Sequence, residues 1–562
     1  MYHAAAAEEA TGRARRRRRG LRGRPSPVVL VVALVAALPL LVALASFLTG
    51  SGEAWAHLAR HVLPEALANT LWLVAGVAAG TAVLGVSLAW FVAACEFPGR
   101  RFFDWAMLLP MAMPGYVLGF AFAALFEYTG PLQTGWRGVF GNDAWFPDIG
   151  PRGATILTLS LVLYPYVYLI VREAFASQGV RGLEVARSLG WSPLAAFFRV
   201  TLPMSRPWLV AGISLAVMEC LADFGTVKLF NYTTFTTAIY RAWYGLFSLQ
   251  SAVQLSLVLV LLVLLALLLE RRFRGRSRYV QGGPANDRRV RLEGARGLAV
   301  TGYCAFVLIA AFGLPVSLIV GWALDFAALE LDARYWQLAL NTLLLAAGAA
   351  ALLTAVAMLL AFAVRRAPGI VNSSLARVAT LGYAIPGTVL AVGFFVPVAW
   401  LSRMLNRLAG TDPGMTFALQ GGLTVIFLAY MARYLAVAHG PVESALLRIK
   451  PSIEEASRVL GVAGARLFYR VHLPILRPAI LTAALLVFVD IMKELPITLM
   501  TRPFGWDTLA VRVFQLTTEG EWQRAALPAL AIVLVGLLPV MLLNRQRGTG
   551  SRQGRTRTTP GA

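Results

Sequence analysis

The chain has 562 residues, of which 58% are hydrophobic and 14% charged, and its mean hydropathy is +0.67. About 25% of the residues of a typical water-soluble domain are charged. These proportions exclude one and place most of the chain in lipid. A net charge of +23 raises nucleic acid as a partner, but the placement of that charge, traced below, argues against it.

Apolar runs long enough to cross a bilayer as helices recur twelve times. In chain order they are Val28–Phe47, Asn69–Ala94, Phe103–Phe126, Ala154–Val171, Trp208–Phe230 and Ser251–Leu269 in a first set. A second set follows at Leu298–Ala323, Leu338–Val364, Val378–Leu401, Phe417–Ala438, Ala479–Met500 and Ala525–Leu543. The first run follows an Arg-rich start and ends near Ala43-Leu44-Ala45, so it reads either as a cleaved signal peptide or as a retained helix. It exceeds the usual apolar length of a signal peptide, and the repeat described below calls for a retained helix.

Alternating the spans from a cytoplasmic N-terminus puts 38 of the 51 Lys and Arg residues in cytoplasmic segments and 10 in external loops. The opposite orientation violates the positive-inside rule. The basic excess is therefore a topology signal spread over every cytoplasmic segment, and no nucleic-acid partner is expected. Both termini are expected in the cytoplasm. Basic tails at 1–25 and 545–562 and a basic linker at 271–296 flank two halves, 26–270 and 297–544. Cys95, Cys220 and Cys304 lie in apolar stretches without metal spacing, as small buried residues do.

The two halves are copies. Asn69-Thr70-Leu71 returns as Asn341-Thr342-Leu343, and Pro114-Gly115 returns as Pro386-Gly387, a shift of 272. Later in each half the shift is 271, with Glu184, Gly190 and Pro203 returning as Glu455, Gly461 and Pro474. Six crossings per copy make the copies parallel. The expected fold is an all-α polytopic membrane protein of about twelve transmembrane helices in two parallel six-helix repeats.

The Glu–Gly–Pro spacing falls in the loops between spans four and five (180–207) and spans ten and eleven (451–478). Leu183, Ala186 and Leu189 lie at helical spacing, as do Ile453, Ala456 and Leu460. Glu184 and Arg187, like Glu455 and Arg458, stand at i, i+3 on the polar side. Gly190 and Gly461 suit the left-handed stop of a short helix. Each loop thus reads as a helix–turn–helix suited to a partner's groove.

This pattern resembles the EAA loop of binding-protein-dependent ABC permeases, with Val185 and Ser457 departing from the usual alanine. The likeness covers 66–269 and 338–543. It implies that Glu184, Ala186, Gly190 and Pro203, with Glu455, Ala456, Gly461 and Pro474, form two coupling helices. Further implied are two copies of an ATPase subunit that binds the ATP, an external substrate-binding protein, and a place in a bacterial inner membrane. The run Glu219 to Thr226, its counterpart Asp490 to Pro496, and the stretch Thr508–Pro528 resemble the ferric-ion branch of that family. Permeases for thiamine, phosphonate or polyamines resemble it as well.

Acidic residues inside spans are functional candidates because each costs about 2.5–3.5 kcal/mol on insertion scales. Glu219 and Asp223 share a face at i, i+4, as do Asp490 and Glu494. Lys493 reaches Asp490 at i, i+3, and Arg433 lies in span ten. These six residues are candidates for a translocation path or gate, with a structural ion-pair network as the alternative. Carboxylates suit a hard ferric ion, but a path that binds its ion tightly cannot release it, so no resident metal site is expected. Pro114-Gly115 and Pro386-Gly387 read as kinks or as hinges.

The chain has three lysines, Lys228, Lys450 and Lys493, none of which follows a glycine. It therefore encodes no Gly-Lys-Ser/Thr phosphate loop, and no cofactor is expected on it. An ion-coupled secondary transporter would need no ATPase, and the paired loops discriminate against that rival. A membrane enzyme would need a nucleophile–base motif or a metal cluster, and the sequence offers no such catalytic set. A rigid scaffold would leave the charged spans unexplained.

Overall fold

A computed structural model describes residues 25–46, 53–142, 145–146, 149–178, 188, 190–274, 289–409, 422–462 and 464–555. Backbone polar groups have no water to bind in a bilayer core, so a spanning segment satisfies them internally as a helix. Nine described helices are long and apolar enough to cross: Pro27–Ala45, Leu63–Ala94, Gly150–Ser177, Leu249–Arg274, Ala295–Glu330, Ala333–Arg366, Gly387–Leu408, Leu423–Arg448 and Phe468–Met492. Two more spans are bent pairs. Arg100–Ala112 meets Gly115–Phe140 at 92°, and Phe197–Met204 meets Arg206–Ala222 at 69°. With the shorter apolar helix Ala526–Met541, each of the twelve apolar runs has a helix.

The boundaries differ from the apolar runs in an informative way. Span five stops at Ala222 rather than Phe230, and span eleven at Met492 rather than Met500. Both are followed by short separate helices, Gly225–Leu229 and Pro496–Thr501. Hydropathy alone runs through these breaks because the residues beyond them remain apolar.

The chain forms two compact units. One comprises residues 1–50 and 340–506, and the other residues 51–339 and 507–562. They cut the chain differently from the sequence copies, since the first span belongs with spans eight to eleven. In that unit, Pro39 of span one lies so close to Gly393 that a Cβ there would meet Pro39 Cβ at 2.5 Å. The Ser26 N–H also donates to Asn372 Oδ1 at 2.8 Å. In the other unit, spans two and four lie together, and a Cβ on Gly80 would meet Ser160 Oγ at 2.3 Å. Small residues let membrane helices approach where there is no water to drive them together.

The end of the basic linker is anchored in the second unit. Val290–Arg291 pairs in parallel with Cys95–Glu96, the one strand pair among the described residues. The Leu292 N–H donates to Glu96 O at 3.0 Å, and Arg289 Nη1 lies 3.5 Å from Glu96 Oε2. Nothing in the linker's composition signalled this pairing. The three cysteines are buried and free.

Candidate functional site: paired helix breaks and an exposed loop helix

After span five, the backbone of Asp223 turns extended (φ −65°, ψ 132°) and the helix stops. The next helix starts at Gly225 with its first N–H groups lacking intrahelical partners. Asp223 supplies them. Its Oδ1 accepts from the Thr226 N–H at 3.0 Å and the Val227 N–H at 3.2 Å, and its Oδ2 accepts from the Thr226 hydroxyl at 2.9 Å.

The second copy repeats the arrangement with one more methylene. Glu494 accepts from the Ile497 N–H at 2.8 Å, the Thr498 N–H at 3.0 Å and the Thr498 hydroxyl at 2.8 Å. Pro496 opens that helix, where its missing N–H is harmless. The Thr498 hydroxyl also lies 2.5 Å from that of Tyr430. Glu494 is buried. The carboxylate aimed at a helix N-terminus also meets the positive end of its dipole.

The Pro-Gly pairs lie against these same breaks. Gly115 and Gly387 each begin a helix after a short 3₁₀ turn. A Cβ on Gly115 would meet Thr226 Oγ1 at 2.6 Å and Asp223 Oδ2 at 3.2 Å. A Cβ on Gly387 would meet Pro496 Cγ at 3.0 Å and Glu494 Oε1 at 3.2 Å. In each unit, therefore, a Pro-Gly break in one span packs on a carboxylate-capped break in another. Read from the sequence, these were two separate motifs, and the structure joins them. The signal that could have found the caps was an acidic residue three or four positions before a threonine, with Gly or Pro between.

The other intramembrane charges have different surroundings. Lys493 Nζ lies 3.0 Å from Asp490 Oδ1, both about a quarter exposed. Arg433 is buried, and its Nη1 donates to the Ile385 carbonyl at 3.0 Å, just before Pro386. Glu219 is half-buried one turn before Asp223. No group of three or more His, Cys, Asp or Glu side chains suited to a metal occurs among the described residues.

Of the first loop, Glu184, Ala186 and their neighbours lie outside the described residues, whereas Gly190 and Pro203 lie within them. In the second loop Pro451–Val459 is a helix. It ends in a double-bonded turn in which the Gly461 N–H donates to Arg458 O at 3.0 Å and the Val462 N–H to Ser457 O at 2.9 Å. That closure needs a left-handed residue after the helix. Gly461 has φ +78°, and Gly190 is left-handed as well at φ +80°. Pro203 lies one residue before the end of the helix Phe197–Met204, and Pro474 lies inside Phe468–Met492, each just after a π-helical segment.

On this loop helix Ile453 is 39% exposed, Val459 88% and Leu460 80%, and Glu455 and Ala456 are exposed. The helix is fixed by Glu454 rather than Glu455. Arg365 Nη2 lies 2.6 Å from Glu454 Oε1 and donates to the Ile449 carbonyl at 2.9 Å. The Leu446 carbonyl accepts from Arg365 as well. Arg458 lies 3.9 Å from Glu454, so the i, i+4 pair replaces the i, i+3 pair with Glu455 that the spacing suggested. Arg365 thus satisfies the last carbonyls of span ten and ties span eight to the loop helix. Its counterpart under the repeat is Ala93, and that of Glu454 is Leu183, so no symmetry argument could have found it.

Duplicated, broken spans with carboxylate caps and a presented loop helix define a polytopic membrane protein of the transport class. The profile of the family described as binding-protein-dependent transport system inner membrane component matches residues 82–278 and again 354–547. The chain belongs to that family, the permeases of type I ABC importers. It is 29% identical over 526 residues to the Fe(3+)-transport system permease protein FbpB 2 of Haemophilus influenzae, covering 92% of this chain and 97% of that protein. It is 24% identical over 535 residues to a probable ABC transporter permease protein, y4fN, of Sinorhizobium fredii, with 90% and 91% covered. A single-half relative, the molybdenum transport system permease protein ModB of Escherichia coli, is 27% identical over 194 residues, covering 33% of this chain and 82% of that protein.

Proposed function

We propose that the chain forms the membrane path of an ATP-driven importer of ferric iron, with one ATPase subunit docked on each of its two loops. The observation that carries the coupling part is the helix Pro451–Val459. It leaves Ala456, Val459 and, just past its end, Leu460 exposed, with Ile453 part-exposed beside spans ten and eleven, while Arg365 holds its root. An exposed apolar stripe on a short, firmly rooted helix is the donor half of a helix-in-groove contact. ATP binds the partner subunits, and an external binding protein delivers the substrate. The basic loops, with both termini, face the cytoplasm of a bacterial inner membrane.

Iron is supported by the Haemophilus influenzae relative, matched along 97% of its length, whose name specifies Fe(3+) transport. The side chains add a constraint. Asp223 and Glu494 spend their oxygens on backbone N–H and threonine hydroxyl groups, so they are poor ligands for a passing cation, and transit without a tight site favours release. In this reading the paired breaks are hinges. A capped helix start can swing with its N–H groups satisfied, so motion does not expose orphaned donors to lipid.

The test is co-purification of the ATPase with the permease in mild detergent, together with uptake of radioactive ferric iron. Gly461→Pro and Glu455→Arg should each lower association at least several-fold while the permease still inserts. Unchanged association and uptake in both variants would remove the coupling role. Uptake of molybdate in place of iron would move the substrate and leave the coupling intact.

A further inference from the structure

Beside the second loop helix lies a cavity of about 690 Å³ with two unlike walls. One is apolar and belongs to the membrane face. It is formed by Leu359, which is 60% exposed on span eight, with Phe362 and Phe468 edge to face at 5.1 Å. The other carries Arg365, Arg366 and Arg458 against a single carboxylate, Glu454. Arg365 already holds Glu454 at 2.6 Å. Arg366 is exposed, and Arg458, 62% exposed, is only loosely engaged at 3.9 Å. Tyr469, 63% exposed, stands at the rim, where an amphipathic ring sits at headgroup depth.

We propose that this cavity binds an anionic phospholipid, its phosphate between Arg366 and Arg458 and an acyl chain along Leu359 and Phe362. Charge complementarity selects the anion, and the apolar wall, continuous with the lipid-facing side of span eight, selects a lipid over a free phosphate. Basic pockets beside membrane helices recognise such headgroups. The site belongs to one copy only. Under the repeat, Arg365, Arg366 and Glu454 correspond to Ala93, Ala94 and Leu183. That the lipid comes from the cytoplasmic leaflet rests on the orientation proposed above, but the binding measurement does not depend on it.

Native mass spectrometry of the full chain in detergent, titrated with dioleoylphosphatidylglycerol or dioleoylphosphatidylcholine, tests the site. Wild type should prefer the anionic lipid, and each arginine removed should weaken that lipid about fivefold. Arg366→Gln with Arg458→Gln should therefore abolish the preference, while Arg366→Lys with Arg458→Lys keeps most of it. Both side chains are exposed and outside the Arg365 clamp, so the fold should survive, as an unchanged melting curve would confirm. Arg271→Gln with Arg272→Gln, at the basic end of span six, should keep the preference. A preference that survives the glutamine pair, or falls equally with the span-six pair, overturns the site. Displacement of the lipid by a few millimolar inorganic phosphate overturns its assignment to lipid.

Discussion

Replacing Glu494 by alanine separates a structural cap from a substrate-handling carboxylate. The substitution removes the acceptor of the Ile497 and Thr498 N–H groups, at 2.8 and 3.0 Å. Neither donor has an intrahelical partner at the start of a helix, and the site is buried. The Thr498 hydroxyl keeps a long contact to the Glu494 carbonyl at 3.3 Å and a short one to Tyr430, so it is not orphaned. Two buried donors at about 1–3 kcal/mol each give a loss of about 2–6 kcal/mol. Glu494→Gln keeps one acceptor but turns an amide N–H₂ toward a backbone N–H, and should cost about 1–3 kcal/mol. Glu494→Asp reproduces the residue that does the same work in the first copy, and should cost less than either. The assay is reversible unfolding in mixed micelles, with iron uptake measured in parallel. A Glu494→Ala variant within about 0.5 kcal/mol of wild type, the range of a neutral surface change, would refute the cap. Full stability of Glu494→Gln with abolished uptake would instead make the carboxylate part of the path.

The contact between breaks predicts an order for two glycines. Gly115→Ala should destabilise by about 1–3 kcal/mol, because its Cβ meets the buried, hydrogen-bonded Thr226 hydroxyl at 2.6 Å, and Gly387→Ala by less, its nearest contact being 3.0 Å; melting curves giving the reverse order would contradict the packing. Lys493→Met alone should cost about 1–3 kcal/mol by stranding Asp490, and adding Asp490→Asn should recover part of it. A double variant no more stable and no more active than the single would dissolve that pair.

Much of this protein was legible in its sequence because a bilayer is a severe solvent. Backbone satisfaction and a fixed thickness turn apolar runs into helices, and all twelve runs have one. The duplication was equally legible, and so was the glycine that closes the second loop helix, since a left-handed stop after a short helix calls for glycine. Only the tertiary structure decided where the spans break. Asp223 and Glu494 read as charges inside continuous helices, whereas they end one helix and cap the next, because apolar residues beyond a break hide it from hydropathy. It also decided that Pro114-Gly115 and Pro386-Gly387 lie against those caps, contacts between residues about 110 positions apart in the chain. Along the loop helix, spacing favoured Glu455, while the position of Arg365 on another span chose Glu454. Local pattern fixes which residues share a helix face, but the partner of a buried charge is set by whichever helix packs against it.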